Sequence, residues 1–283
     1  MRSDGRRTFS SGAGTANAPA RAPLGRGTGA APGSHRGAGF EQRFGATERR
    51  DLWWLKPGIQ ALGLMLLGAY ATWAALQGQH YEFGSYLSPF YSPLIKPSWL
   101  PGWISPALLI LAAPGGFRAT CYYYRKAYYR SFFADPAACA VGEMKPGGYT
   151  GETRFPFIMQ NIHRYFMYLA LIFLVILWAD VVRAFTFGGR FGIGGGSLAI
   201  LASTALLTMY TFSCHSLRHL VGGKMDCFSC AVAGGPRQTT WSIVSVLNAH
   251  HMAWAWWSLF GVCFADFYVR MCSMGVFTDP RWL

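Results

Sequence analysis

Residues 155–185 read FPFIMQNIHRYFMYLALIFLVILWADVVRAF, and this stretch decides the architecture. It is longer than the about 20 residues a helix needs to cross roughly 30 Å of hydrocarbon. Four more apolar segments flank it, at residues 57–76, 103–124, 197–221 and 241–271. Pro106 and Pro114 interrupt the second, and membrane helices tolerate such prolines when neighbours re-satisfy the backbone. The expected fold is all-α, an integral membrane bundle of about five transmembrane helices filling residues 51–283.

Composition agrees. Hydrophobic residues make up 52% of the 283 and charged residues 13%, against about a quarter charged in soluble domains. That leaves too little charge to cover a water-soluble surface. Residues 1–50 differ from the rest. They are rich in Gly, Ala, Ser, Pro and Arg without an apolar period, and read as a disordered basic tail. No apolar core of a secretory signal lies within them. An Arg-rich, acid-poor start also fits a mitochondrial transit peptide, and so a mitochondrial inner membrane. High glycine and the missing amphipathic period favour a bacterial plasma (inner) membrane instead.

The formal net charge is +13, but its placement speaks for membrane topology and against nucleic acid. Ten of the 25 Lys and Arg precede residue 57, six lie in 118–154 and three in 218–237. Five lie on the opposite side: Lys96, Arg183, Arg190, Arg270 and Arg281. The positive-inside rule then puts the N-terminus in the cytoplasm and the C-terminus outside.

Depth can now be read. His163 falls near the cytoplasmic start of the third segment, Cys214, His215 and His219 at the end of the fourth, and His250 and His251 inside the fifth. At 1.5 Å per residue all lie within roughly 15 Å of one boundary. Cys121 emerges on the same side and Cys139 follows in the next loop. Any one of these has an ordinary explanation, since a buried Cys is usually a small hydrophobe. Five histidines in one layer are harder to dismiss, because ionisable groups in membrane helices are costly.

Three metal chemistries suit such a layer. Zinc suits Cys and His, but Cys227 and Cys230 form the one CxxC and lie in a polar loop. Haem b needs two axial imidazoles at equal depth. A Rieske-type 2Fe-2S centre needs two Cys and two His, although the C-x-H and C-x-x-H spacing of soluble Rieske domains is absent.

Longer motifs carry a resemblance: TCYYYRKAYYR at 120–130, ACA at 138–140, YTGETRFP at 149–156, QNIHRY at 160–165, SCHSLRH at 213–219 and LNAHHM at 247–252. Over residues 52–283 the chain resembles the membrane anchor subunit of the actinobacterial-type succinate dehydrogenase, a form of respiratory complex II. The resemblance implies docking of a flavoprotein and an iron–sulfur subunit on the cytoplasmic side. It also implies electron transfer from succinate oxidation, a step of the tricarboxylic acid cycle, to membrane quinone, within a higher oligomer of the complex. That branch of the family is associated with a membrane-embedded Rieske-type 2Fe-2S cluster in place of haem. The residues matching its motifs are Cys121, Cys139, Cys214, His163, His215, His219 and His251, and which four are ligands stays open. Independently, the first two segments contain no His, which disfavours a two-haem arrangement.

Quinone sites are apolar slots with a few polar donors. By depth and chemistry the candidates are Arg164, Arg218, Tyr165, Tyr210, Trp254 and Trp257. Arg125, Lys126, Tyr128, Tyr129 and Arg130 form a basic aromatic cluster suited to docking the soluble subunits, or to membrane lipid with anionic headgroups. Asp180 and Asp266 read as solvated charges at outer helix ends. Two other readings share the topology: a haem-b cytochrome anchor, and a non-redox membrane protein. The latter would need discontinuous helices or internal repeats around a midplane site, and the halves of the sequence show no repeat.

Overall fold

The computed structural model describes residues 44–143, 157–223 and 225–282. Most of the tail at 1–50, Lys145, Arg154 and the motif at 149–156 lie outside the described residues.

The described residues are mostly helical, with two two-stranded hairpins. Helix α1 spans Leu55–Gln77, and after a loop come α2 (Ala107–Ile110), α3 (Ala112–Ala119) and α4 (Tyr122–Phe132). A 3-10 turn, Phe157–Ile162, leads into α5 (His163–Ala184). Then follow α6 (Gly195–Phe212), α7 (His215–Gly222), α8 (Gly234–Ala249) and α9 (His251–Ser273). Four helical stretches among the described residues are long and apolar enough to span a membrane: Leu55–Gln77, Ile158–Ala184, Gly195–Phe212 and His251–Ser273. Their outer faces carry Leu62, Leu66, Val175, Val182 and Phe264 exposed, which suits lipid contact.

Three of the expected continuous segments are broken. The second is α2 and α3, with a break before α4. The fourth ends at Phe212 and restarts at His215, and the fifth is α8 and α9 joined at His250. At two of these breaks a cysteine caps the next helix in extended backbone: Cys121 (ψ 129°) before α4 and Cys214 (ψ 135°) before α7. His163 and His251 are the first residues of α5 and α9. The sequence reading places them about two and three turns inside their helices.

The opposite end is tied by hydrogen bonds. A hairpin of β1 (Glu82–Phe83) and β2 (Tyr86–Leu87) follows α1, and Gly78 at φ 64° ends that helix in a left-handed cap. Tyr91 Oη accepts from the Gly78 amide at 3.0 Å and donates to the Ala74 carbonyl at 2.9 Å, completing the cap. Asp266 of α9 is fully buried. It accepts from Tyr70 Oη at 2.6 Å, from Ser88 Oγ, and from its partner Arg270 at 3.3 Å. Arg270 also donates to the carbonyl of Gln79 at 2.8 Å. This corrects the reading of Asp266 as a solvated helix-end charge: a buried carboxylate needs such partners. Asp180 is likewise half-buried and accepts from Ser92 Oγ. Near the chain end, Asp279 accepts from Tyr86 Oη at 2.8 Å and from the Gly196 amide at 3.0 Å, placing an anion at the N-terminus of α6.

Candidate metal centre

The four junctions meet in one layer. His163 Nε2 lies 3.1 Å from Cys214 Sγ, and His251 Nε2 lies 3.4 Å from Cys121 Sγ. The other nitrogen of each ring is held by a hydroxyl. Thr120 Oγ1 is 2.9 Å from His163 Nδ1, and Ser213 Oγ is 2.6 Å from His251 Nδ1. The connections cross: each hydroxyl precedes one cysteine in sequence and holds the histidine that faces the other cysteine.

The crossing exposes a short internal repeat that the sequence reading missed, Thr120-Cys121-x-x-x-Arg125 and Ser213-Cys214-x-x-x-Arg218. In both copies the amide of the arginine closes the first helical turn on the cysteine carbonyl, at 2.9 and 3.1 Å. Hydroxyl, break and new helix thus come as a unit, used twice.

All four side chains line one cavity of about 540 Å³, shared with Gln160, His215 and Asn248. Cys121, Cys214 and His163 are buried. On the membrane side aromatic rings close the layer. Phe117 stacks on His163 with centroids 4.8 Å apart, and Tyr210 stacks on His251 at 5.1 Å. The Tyr210 hydroxyl is buried without a hydrogen bond and lies beside the Cys121 thiol.

Among the described residues no three His, Cys, Asp or Glu side chains converge on one point, as a mononuclear metal would require. Two thiols and two imidazoles supply the four donors of a binuclear centre, and each close contact here joins one thiol to one imidazole. The orphaned Tyr210 hydroxyl fits as well, since a thiolate at Cys121 would accept a hydrogen bond from it.

The other expected ligands lie elsewhere. Cys139 is exposed in the loop after α4, where its carbonyl accepts from Arg49 at 2.9 Å. His219 lies one turn further along α7, its ring beside Gly223. His215 lines the same cavity. Cys227 and Cys230 are joined to each other as a disulfide in the loop between α7 and α8.

Behind the rings lies a second, apolar cavity of about 370 Å³, lined by Phe117, Arg118, Tyr210, Thr211, Leu174 and Val262 among others. Arg118 is its cation. The guanidinium sits 4.8 Å over the Tyr210 ring and donates to Tyr124 Oη at 2.5 Å and Ser258 Oγ at 3.0 Å, with no acidic partner in these contacts. The sequence reading had counted Arg118 among loop charges. Of the six residues expected at a quinone slot, Tyr210 alone lines this cavity. Arg164, Tyr165 and Trp257 are exposed. Arg218 instead joins α7 to α8, donating to Ser245 Oγ at 2.8 Å and lying 4.8 Å over the Trp241 ring. Trp254 packs against the Phe117–Tyr210 cluster.

Directly beyond Cys121, α4 carries the expected docking residues. Lys126 is exposed, Tyr128 and Arg130 partly so, and Arg125 lies 5.6 and 5.7 Å over the rings of Tyr122 and Tyr129.

Comparison with known proteins agrees with this architecture. No curated protein matches the chain. A chain of the Mycobacterium smegmatis Sdh1 complex in the apo form is 41% identical, with a TM-score of 0.75, over 84% of this chain and 94% of that one. The family model for actinobacterial succinate dehydrogenase subunit SdhC matches residues 55–275. The chain belongs to that family, and is thus a membrane subunit of a succinate dehydrogenase, an oxidoreductase complex whose other subunits are its partners.

Proposed function

We propose that this subunit carries electrons from a docked iron–sulfur subunit to membrane quinone, and that Cys121, Cys214, His163 and His251 hold a Rieske-type 2Fe-2S centre. The observation that supports the reading most is that two thiols and two imidazoles from four helix junctions line one cavity. Such a centre, when bound, supplies one-electron transfer at a potential raised by its imidazole ligands. Haem b fits the layer less well, because the free ring nitrogen of each histidine meets a cysteine sulfur.

The remaining functions fall to the chain's own groups. Phe117 and Tyr210 shut the cavity behind them off from the polar layer, at ring contact from the two imidazoles. That cavity is the proposed quinone slot. Arg118, half-buried in the wall of that cavity, would hold negative charge on a quinone oxygen there. Reduction of the quinone takes two electrons and two protons. The flavoprotein and iron–sulfur subunits would dock on the side of α4, α7 and α8, the cytoplasmic side of a bacterial plasma membrane, with the broken α2–α3 segment as the fifth crossing.

The test is iron and acid-labile sulfide per flavin in the purified complex, with EPR of the reduced state. Cys121→Ser, Cys214→Ser, His163→Ala and His251→Ala should each remove one 2Fe-2S equivalent and its signal. Cys139→Ser and His219→Ala should leave both unchanged. A sharp haem alpha band in the reduced-minus-oxidised spectrum, with no cluster lost in the four variants, would overturn the reading.

A further inference from the structure

Which nitrogen of each imidazole carries the hydrogen follows from two hydroxyl protons. Thr120 Oγ1 donates to the Gly116 carbonyl at 2.7 Å. Having one proton, it must accept from the group 2.9 Å away, His163 Nδ1. Ser213 repeats the arrangement. Its hydroxyl donates to the Tyr210 carbonyl at 2.8 Å and so accepts from His251 Nδ1 at 2.6 Å. Both rings are therefore Nδ1–H tautomers, and both bare Nε2 atoms point at a cysteine sulfur, at 3.1 and 3.4 Å. Backbone holds the hydroxyls in turn. Gly116 stands one turn before Thr120 in α3, and Tyr210 ends the last turn of α6 before Ser213.

We infer that Thr120 and Ser213 are positioning residues that lock both imidazoles with Nε2 toward the metal and Nδ1–H turned away into the protein. The inference rests on the proposed iron–sulfur site and adds the atom by which each histidine ligates. Partners on the far nitrogen of a metal-bound imidazole fix ring orientation and tautomer. What distinguishes this site is that each partner is supplied by the residue preceding the opposite cysteine. Placing a thiol therefore also aims the imidazole of the other pair.

The complex is prepared from a histidine auxotroph fed histidine labelled with 15N at Nδ1 alone or at Nε2 alone. It is then reduced and measured by pulsed EPR. The strong, metal-bonded nitrogen coupling should change with the Nε2 label and stay unchanged with the Nδ1 label. Coupling that follows Nδ1 overturns the inference and leaves the proposed ligand set standing. No metal-coupled nitrogen with either label overturns the iron–sulfur reading itself, and this inference with it. Thr120→Val and Ser213→Ala should bind iron about ten- to a hundredfold more weakly, read as iron retained against a graded chelator series. Thr120→Ser and Ser213→Thr, which keep the hydroxyl, should retain iron as the unaltered complex does. Full iron retention in the valine and alanine variants would remove the positioning role.

Discussion

Tyr210 lies nearly flat against His251, with ring centroids 5.1 Å apart and planes 20° from parallel. Its hydroxyl reaches the Cys121 side while its other face meets Arg118. One side chain thus touches the candidate centre and lines the apolar cavity. Tyr210→Phe keeps the ring and removes the hydroxyl. Hydrogen bonds to cluster sulfurs help set its potential, and a donor lost from a thiolate makes reduction harder. The midpoint of the centre should fall by a few tens of millivolts, on a scale of about 59 mV per tenfold change for one electron. Redox-poised EPR measures it, and an unchanged midpoint would place the hydroxyl off the sulfur.

Arg118 separates function from stability. A half-buried cation with no carboxylate among its described contacts adds little to the fold, so replacing it with an apolar residue of similar length should be neutral or stabilising. Arg118→Met should leave thermal unfolding of the complex level or raised. Quinone reduction should weaken about tenfold or more, mostly as a higher KM for quinone, equivalent to about 1.4 kcal/mol. A lowered unfolding temperature with quinone kinetics intact would reverse that assignment.

The outer pair behaves oppositely. Asp266 and Arg270 are both buried and share Tyr70, Ser88 and two carbonyls. Removing one partner strands the other charge. Asp266→Ala should destabilise by about 3–5 kcal/mol, seen as earlier unfolding in detergent. The centre's EPR line shape should survive in whatever complex still assembles.

Gly116 of α3 faces the Phe166 ring of α5. A Cβ there would fall 2.2 Å from the Phe166 ring. Gly116→Ala should push α3 off α5 and loosen Thr120 from His163. Reduced iron retention with near-normal subunit assembly is the expected result, checked by metal analysis of the intact complex.

Cys227 and Cys230 make the complementary control. Their loop joins α7 to α8 but carries no residue of the cavity. Replacing both with Ser should leave iron and sulfide per flavin unchanged. Loss of iron in that double variant would reopen the four-residue assignment.

Much of this was legible in the sequence. The apolar segments, the Cys and His layer and the family resemblance all rest on runs of residues. The breaks at Cys121, Cys214 and His250 were not, because no Pro or Gly stands at those positions and the apolar pattern continues across them. Their cause is tertiary, since each thiol and each imidazole is drawn to a partner on another helix. Arg164 was chosen by depth, yet its neighbour His163 takes the inward face of α5, and about 100° of rotation per residue turns Arg164 outward. Arg118 was overlooked for the converse reason: it adjoins a basic loop in sequence and is enclosed by α9 in space. The six-residue repeat stood in plain view, but a search for similarity between whole halves passes over so short a unit.

The helix breaks have a mechanical consequence. The outer half of the bundle is bolted by Asp266, Arg270 and Tyr91, while the inner half is jointed at the residues that would grip the metal. Helices α4 and α7 each begin one residue beyond a cysteine. The surface proposed to meet the soluble subunits therefore hangs on joints at the proposed metal ligands. A chain without its metal would present those subunits a looser platform, so assembly of the complex could serve as a checkpoint for metal loading before any electron moves.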